Sequence, residues 1–306
     1  MTIEQVRKMI AHIIEEKHLR DPMPVQYGFW IQSLLKGDWG WSGIMQEDVL
    51  EMLNRRAPVT IELTLYSLLL FIPMSLISGV ISGARQRSRT DTITQMVSFI
   101  FGGTPTFILA ILLIAVFYVW LHILPLERIG PAASAILHSE SFHQYTGINT
   151  LDGLLNGSLT VFFDGLQHLL LPVVSLSLIQ WATLHRVIRI STIEQTHEPY
   201  IVAAQSRGVP RSKLIWRHIF KNILSPAFTS SAISAASLFT GVLVIEMTFN
   251  LKGISELILS ILSIPDTPLL LGFAVYSVVY VLAIIFILDV VQAMVDPRVR
   301  EGIYQG

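Results

Sequence analysis

Five stretches of this chain are apolar enough and long enough to cross a lipid bilayer, and no other feature constrains its fold as much. They are Val59–Ala84, Thr94–Leu121, Leu166–His185, Ser225–Ile245 and Pro268–Val291. A helix needs about 20 such residues to span a hydrocarbon core of ~30 Å. Helices can satisfy every backbone group there from within. The balance of the chain agrees: 52% of its 306 residues are hydrophobic and 14% charged, against about a quarter charged in soluble domains. The expected fold is an all-α polytopic membrane protein. With 21 Lys+Arg against 22 Asp+Glu, there is no basic excess to attract nucleic acid. The absence of cysteine excludes disulfides, thiolate metal sites and a cysteine nucleophile. The opening Ile3–Ile10 is amphipathic and holds no apolar core of signal-peptide length.

Charge fixes the number of crossings. The second stretch lies in a charge-free run of about 35 residues, enough to suggest two spans, and Gly102, Gly103 and Pro105 inside it could bend or break a helix. Arg85, Arg87 and Arg89 follow the first span. Arg186, Arg189, Arg207, Arg211, Lys213, Arg217 and Lys221 separate the third from the fourth, and Arg298 and Arg300 follow the fifth. The other two connections hold only Arg128 and Lys252. Short Lys/Arg-rich loops stay cytoplasmic, and all three basic segments share a side only if Thr94–Leu121 crosses once, tilted or bent. The C-terminus is then cytoplasmic. Five spans also place residues 1–58 outside, although that segment carries seven basic residues and no span precedes it. The expected organisation is an external segment 1–58, a membrane domain 59–296 with a cytoplasmic loop 186–224, and a tail 297–306. Tyr118, Trp120 and His122 fall at the outer interface, where amphipathic rings are favoured.

No enzyme signature is present: there is no G-x-x-x-x-G-K-[ST], H-E-x-x-H or G-x-S-x-G. His138, His143 and His168 share the outer connection without metal-ligand spacing, and solvated polar residues are the plainer reading. Glu62, Glu246 and Asp289 lie near span ends rather than mid-membrane, which disfavours an ion-driven pump. The fourth span carries Ser230-Ser231-Ala232-Ile233-Ser234-Ala235-Ala236-Ser237 and then Thr240-Gly241. Such a run serves close helix packing or lines a pathway, and the sequence leaves both open.

The most informative segment is cytoplasmic. Tyr200 to Arg207 has helical composition and a small alanine face. Gly208 can take the left-handed conformation that ends a helix, and Pro210 stops its continuation. A basic amphipathic stretch then runs to Asn222 and Pro226. A short helix, a sharp turn and a second helix make a lever on which a partner could dock; a solvated loop is the alternative.

Tyr200-Ile201-Val202-Ala203-Ala204-x-x-x-Gly208, with Asn222-x-x-x-Pro226 behind it, resembles the EAA signature of binding-protein-dependent ABC importers. Val202 stands at the place of the signature's glutamate. Collinear segments resemble the oligopeptide/dipeptide/nickel permeases: Met23-Pro24-Val25-Gln26-Tyr27, Lys36-Gly37-Asp38-Trp39-Gly40, Thr60-Ile61-Glu62-Leu63-Thr64, Thr104-Pro105-Thr106-Phe107, Glu246-x-x-Phe249-x-x-x-Gly253, and Asp289 to Asp296-Pro297-Arg298-Val299-Arg300. Lys252 departs from the family's usual proline, which leaves the shape of that loop open.

The resemblance implies a type I ABC importer permease of the B type, with the family's usual first helix absent and five spans present. A misassigned start, a truncated chain and a lost span are the readings left open for that absence. It implies a bacterial or archaeal cytoplasmic membrane, a second homologous permease, two cytoplasmic ABC ATPases that bind the ATP and Mg2+, and an external solute-binding protein. No cofactor is implied in this chain. Tyr200, Ala203, Ala204, Arg207, Gly208, Asn222 and Pro226 are the implied ATPase-coupling residues. Ser234, Ser237, Thr240, Glu246 and Phe249 are candidates for the pathway or outer gate. Peptide is the expected solute, with a nickel complex or another small solute as alternatives. A truncated or non-transporting membrane scaffold is the competing reading.

Overall fold

A computed structural model describes residues 20–295; Ile3–Ile10 and Asp296–Arg300 lie outside the described residues. Two units are distinguished, residues 20–54 with 260–276 and residues 55–259 with 277–295.

In the smaller unit, helix α1 (Met23–Leu35) ends where Gly37 takes φ +88°. The Asp38 N–H then reaches back to the Ser33 carbonyl at 3.0 Å, a left-handed cap that glycine adopts without strain. A short hairpin follows, with β1 (Trp41–Ser42) antiparallel to β2 (Glu47–Asp48). The unit is knotted by Asp266, which accepts from the Ser42 hydroxyl (2.7 Å) and from the N–H groups of Ile44 and Leu269. Burial works to raise its pKa, but the Ser42 hydroxyl and the N–H groups of Leu269, Ile44 and Gly43 hold it below its ordinary value. Trp39, from the Lys36–Gly40 motif, meets Tyr276 edge-on with ring centres 6.1 Å apart.

The larger unit is helical. Its elements are the body of α2 (Val49–Ala84), α3 (Arg89–Gly103), α4 (Thr106–Trp120), the short α5 (Pro131–Leu137) and α6 (Asn149–Leu155), and then α7 (Leu159–Thr196) and α8 (Pro199–Ser206). After these come α9 (Arg211–Phe249) and parts of α10 (Ser255–Ser263) and α11 (Thr267–Val295). Helices α2, α7, α9 and α11 are each long and apolar enough to cross a membrane. They outrun the stretches expected from hydropathy: α7 covers 159–196 rather than 166–185, and α9 begins at Arg211 rather than Ser225. Hydropathy detects the part of a helix that lipid surrounds, whereas hydrogen bonding carries the same helix into its polar flanks.

The fifth candidate span is bent. Helices α3 and α4 meet at 106° across Gly103-Thr104-Pro105, where Thr104 is extended and Pro105 opens α4. Residue 104 is pushed off the helical conformation by the proline that follows it. Contacts with α7 give the direction of travel. Asp91 pairs with Arg189, Gly102 lies against Ala182 and Arg186, and Tyr118 and His122 share a cavity of about 400 Å3 with Asp164 and His168. Helix α3 therefore advances little along α7, and α4 carries the chain to the opposite end. By length and composition the α3–α4 pair is a broken span or a re-entrant loop. The last seven residues of α4, Ile114–Trp120, are π-helical.

Helices α2 and α7 approach each other closely. A Cβ on Gly79 would fall 2.7 Å from Ile188, and one on Gly83 would fall 2.6 Å from Thr192. Ser78 receives a bond from Trp181 Nε1 (2.9 Å) and pairs with His185 Nδ1 (2.9 Å). The Ser177 hydroxyl bonds the Ser67 carbonyl at 3.3 Å. Since lipid is as apolar as leucine, such close approach and interhelical bonding, about 0.6 kcal/mol per bond, bind helices where burial alone does not. Phe71, Val80, Leu176, Leu184 and Ile188 fill the remaining space, and Leu238, Val242 and Ile245 of α9 close it from the other side. Helix α11 leaves Val279, Leu282, Phe286 and Ile287 uncovered by the chain, as a lipid-facing helix does.

Candidate functional site

At the basic end of the larger unit, α7 runs on to Thr196 and the chain turns at His197 into α8. Pro199 starts α8, as its missing N–H is one the first turn leaves unbonded. Ile201 turns inward and is 1% exposed, and Ala204 packs against the core. Val202, Ala203, Ser206 and Arg207 face outward. The two alanines expected to act together are therefore divided: Ala203 is presented and Ala204 seats the helix. Gly208 has φ +77° with open space around its Cα, so a side chain there meets backbone strain rather than a steric wall.

Two of the predicted residues join directly. The Tyr200 hydroxyl donates to Gln195 Oε1 and accepts from Asn222 Nδ2, both at 2.6 Å. This ties α8 to the base of α9 across the turn. Pro226 lies one helical turn beyond Asn222, inside α9 and exposed. Between the turn and Asn222 the chain is π-helical over Leu214–Ile219. A cavity of about 550 Å3 lies behind the segment, walled by Gly83, Gln86, Thr196, Gln205, Arg211 and Ile215.

The same end holds a knot absent from the predicted site. Asp91, 1% exposed, accepts from the Ser82 hydroxyl (2.6 Å), the Arg87 N–H (2.9 Å), and Arg189 through Nε (2.6 Å) and Nη2 (3.0 Å). A sequence signal did exist: Asp91 is the sole acid between Glu62 and Glu127 and stands beside three arginines. Arg211 Nη2 donates to the Ala84 carbonyl at the end of α2 (2.5 Å).

The pathway candidates separate along α9. Ser237 and Thr240 lie on an open face with Thr229, Ile233, Ala236 and Met247, whereas Ser234, Glu246 and Phe249 are buried. Ser231 and Ser234 pack inward, so one face of the small-residue run serves close packing and the other stays open.

Glu246 and Phe249 belong instead to a polar layer at the opposite end. Glu246 accepts from the Thr60 hydroxyl (2.5 Å) and the Ser255 N–H (3.0 Å). The space where a Gly253 side chain would begin is filled by the Glu246 carboxylate, which explains the spacing of that motif. Thr60, Glu62 and Thr64 each reach a different element. Thr60 meets Glu246, Glu62 accepts from Thr150 and Arg128, and Thr64 accepts from Tyr280. Lys252 has φ +57°, a left-handed conformation that proline cannot adopt. His138 and His168 each bond a carbonyl of their own helix. No group of three His, Asp or Glu converges among the described residues.

Comparison with known proteins agrees with this architecture. The chain is 30% identical over 296 residues to the probable D,D-dipeptide transport system permease protein DdpB of Escherichia coli, covering 96% of this chain and 85% of that protein. It is 27% identical over 292 residues to the dipeptide transport system permease protein DppB of Alkalihalophilus pseudofirmus, with 95% and 86% covered. It is 29% identical over 288 residues to the oligopeptide transport system permease protein AppB of Bacillus subtilis, with 94% and 84% covered. Residues 52–301 match the family described as binding-protein-dependent transport system inner membrane component, and the chain belongs to that family.

Proposed function

We propose that this chain is the membrane-spanning permease subunit of an ATP-driven importer, with a peptide as its solute. The observation that carries the reading is the α8 segment, a short helix held from behind by Ile201 and Asn222 with Val202, Ala203 and Arg207 turned outward. A solvated loop has no use for a helix braced on its inner face only. The basic end is cytoplasmic, because the arginine-bearing connections at 85–89 and 186–221 meet there among the described residues. A cytoplasmic ATPase that binds ATP and Mg2+ receives α8 in a groove, and its closure on nucleotide biases the permease between two conformations. The open face of α9, with Thr229, Ser237 and Thr240, lines half the pathway, and a second permease supplies the other half. An external binding protein delivers the solute. Peptide is favoured because relatives across the chain's length are permeases of dipeptide and oligopeptide systems.

Affinity capture of this chain from native membranes, followed by mass spectrometry, tests the assembly. The expected result is a second permease and two ATPases with phosphate-binding loops. Recovery of the chain alone would favour a non-transporting scaffold. Within the assembly, Ala203→Arg is expected to abolish ATPase capture while leaving the chain folded, since Ala203 touches solvent; retained capture would exclude the outward face of α8 as the docking surface.

A further inference from the structure

We infer that Asp91 and Arg189 are positioning residues that fasten the coupling segment to a single rigid corner, so that motion of α8 passes to α2, α3 and α7 as one body; the inference rests on the coupling role proposed above. Both ends of the segment return to the same place. Its leading end is the C-terminus of α7, where Arg189 grips Asp91 with two parallel bonds of 2.6 and 3.0 Å, two turns before the chain leaves the helix. Its trailing end is Arg211, whose guanidinium caps the Ala84 carbonyl, one of the carbonyls a helix leaves unbonded at its C-terminus. Ala84 and Asp91 flank the tight turn from α2 into α3, and Asp91 closes that turn by accepting from Ser82 and from the Arg87 N–H.

Rigidity of the corner follows from its packing. Gly79 and Gly83 bring α2 so close to α7 that an added methyl would collide with the His185 and Arg189 carbonyls as well as with Ile188 and Thr192. Helices seated this tightly do not slide past each other without losing contact along the seam. Arginine suits the task because its planar fork fixes direction as well as distance, which the lysine ammonium does not. Beyond Arg211 the helix is π-wound over Leu214–Ile219 before its α-helical part begins at Phe220.

The test uses the complete transporter with its ATPases and binding protein in proteoliposomes, measuring peptide imported per ATP hydrolysed. Wild type must import; if it does not, the proposed function fails, and with it the question. Given import, Asp91→Asn and Arg189→Met are expected to lower import per ATP about tenfold while hydrolysis and assembly stay within about twofold, with Arg189→Lys in between. Import and hydrolysis falling together, in proportion to assembled complex, would overturn the inference by reducing the pair to a folding role. A second arm does not depend on those variants folding. The chain has no cysteine, so Gln86→Cys with Thr196→Cys, two walls of one cavity, can be bridged by a short bifunctional thiol reagent. Undiminished import in the bridged protein is expected of a corner that moves as one body. Arrest on bridging, with full import before it, would show that α2 and α7 separate during transport and would overturn the inference.

Discussion

Two buried carboxylates at opposite ends of the larger unit, Asp91 and Glu246, are satisfied by different means. At the basic end Asp91 takes a bidentate arginine as well as a hydroxyl and an N–H. At the opposite end Glu246, 1% exposed, is held by the Thr60 hydroxyl and a backbone N–H. Charge against charge costs more to bury and more to break; neutral donors hold a carboxylate by shape, close-fitting against Gly253. The contrast teaches that an arginine fork fixes the direction of a contact at one site, whereas at the other neutral donors and a close fit seat a loop against a helix.

That contrast can be broken from either side. The largest effect is expected from Arg189→Met, which removes two charge-assisted bonds from Asp91 and costs about 1.5–3 kcal/mol, read as a fall in thermal unfolding temperature in detergent of a chain that still assembles. A cost under about 1 kcal/mol would mean that the charge is no more important here than the hydroxyls are. Gly253→Ala drives a methyl into the Glu246 carboxylate, and overpacking of this kind costs about 1–3 kcal/mol. Unchanged stability would show that the loop can yield, against the close fit described. Gly208→Val is expected to cost about 1–2 kcal/mol locally, since a β-branched side chain resists φ > 0. Its main signature is lost import in the reconstituted transporter with little change in global unfolding. Asn222→Ala removes one bond to the Tyr200 hydroxyl, worth about 0.5–1.5 kcal/mol, and sharpens the comparison by showing how far α8 depends on its brace. Faster proteolysis at residues 197–210 in the variant is the check.

Much of this architecture was legible before any fold was known, because bilayer physics reads directly from composition. Apolar stretches announce helices, and Gly102, Gly103 and Pro105 mark where the second stretch breaks. The Gly208 turn and the pairing of Tyr200 and Asn222 within one site were within reach of local rules and collinear motifs. What escaped was lateral. The Asp91–Arg189 pair joins residues 98 positions apart, and no periodicity brings them together. Arg128 counted only as a sparse loop charge, yet it reaches Glu62 on α2. The division of Ala203 from Ala204, and of Ser237 from Ser234, depends on which way each helix is rolled, and roll is set by neighbours rather than by the helix itself. The small residues Ser75, Ser78, Gly79, Ser82 and Gly83 carried a packing signal as clear as the run on α9, and it is they that bring α2 against α7.

The bend at Gly103–Pro105 has a consequence for biogenesis. Helix α4 has 15 residues, Thr106–Trp120, and at 1.5 Å per residue it measures about 22 Å, shorter than a bilayer core of ~30 Å. An insertion machine that sorts segments one at a time by hydrophobic length would find neither arm of the pair a full span, although the continuous apolar run would pass. The ribosome completes this run before α7 has been made. Pro105 sets the break locally, but the contacts that hold its two arms, Asp91 with Arg189 and the α4 arm with Asp164 and His168, can close only once α7 has been made.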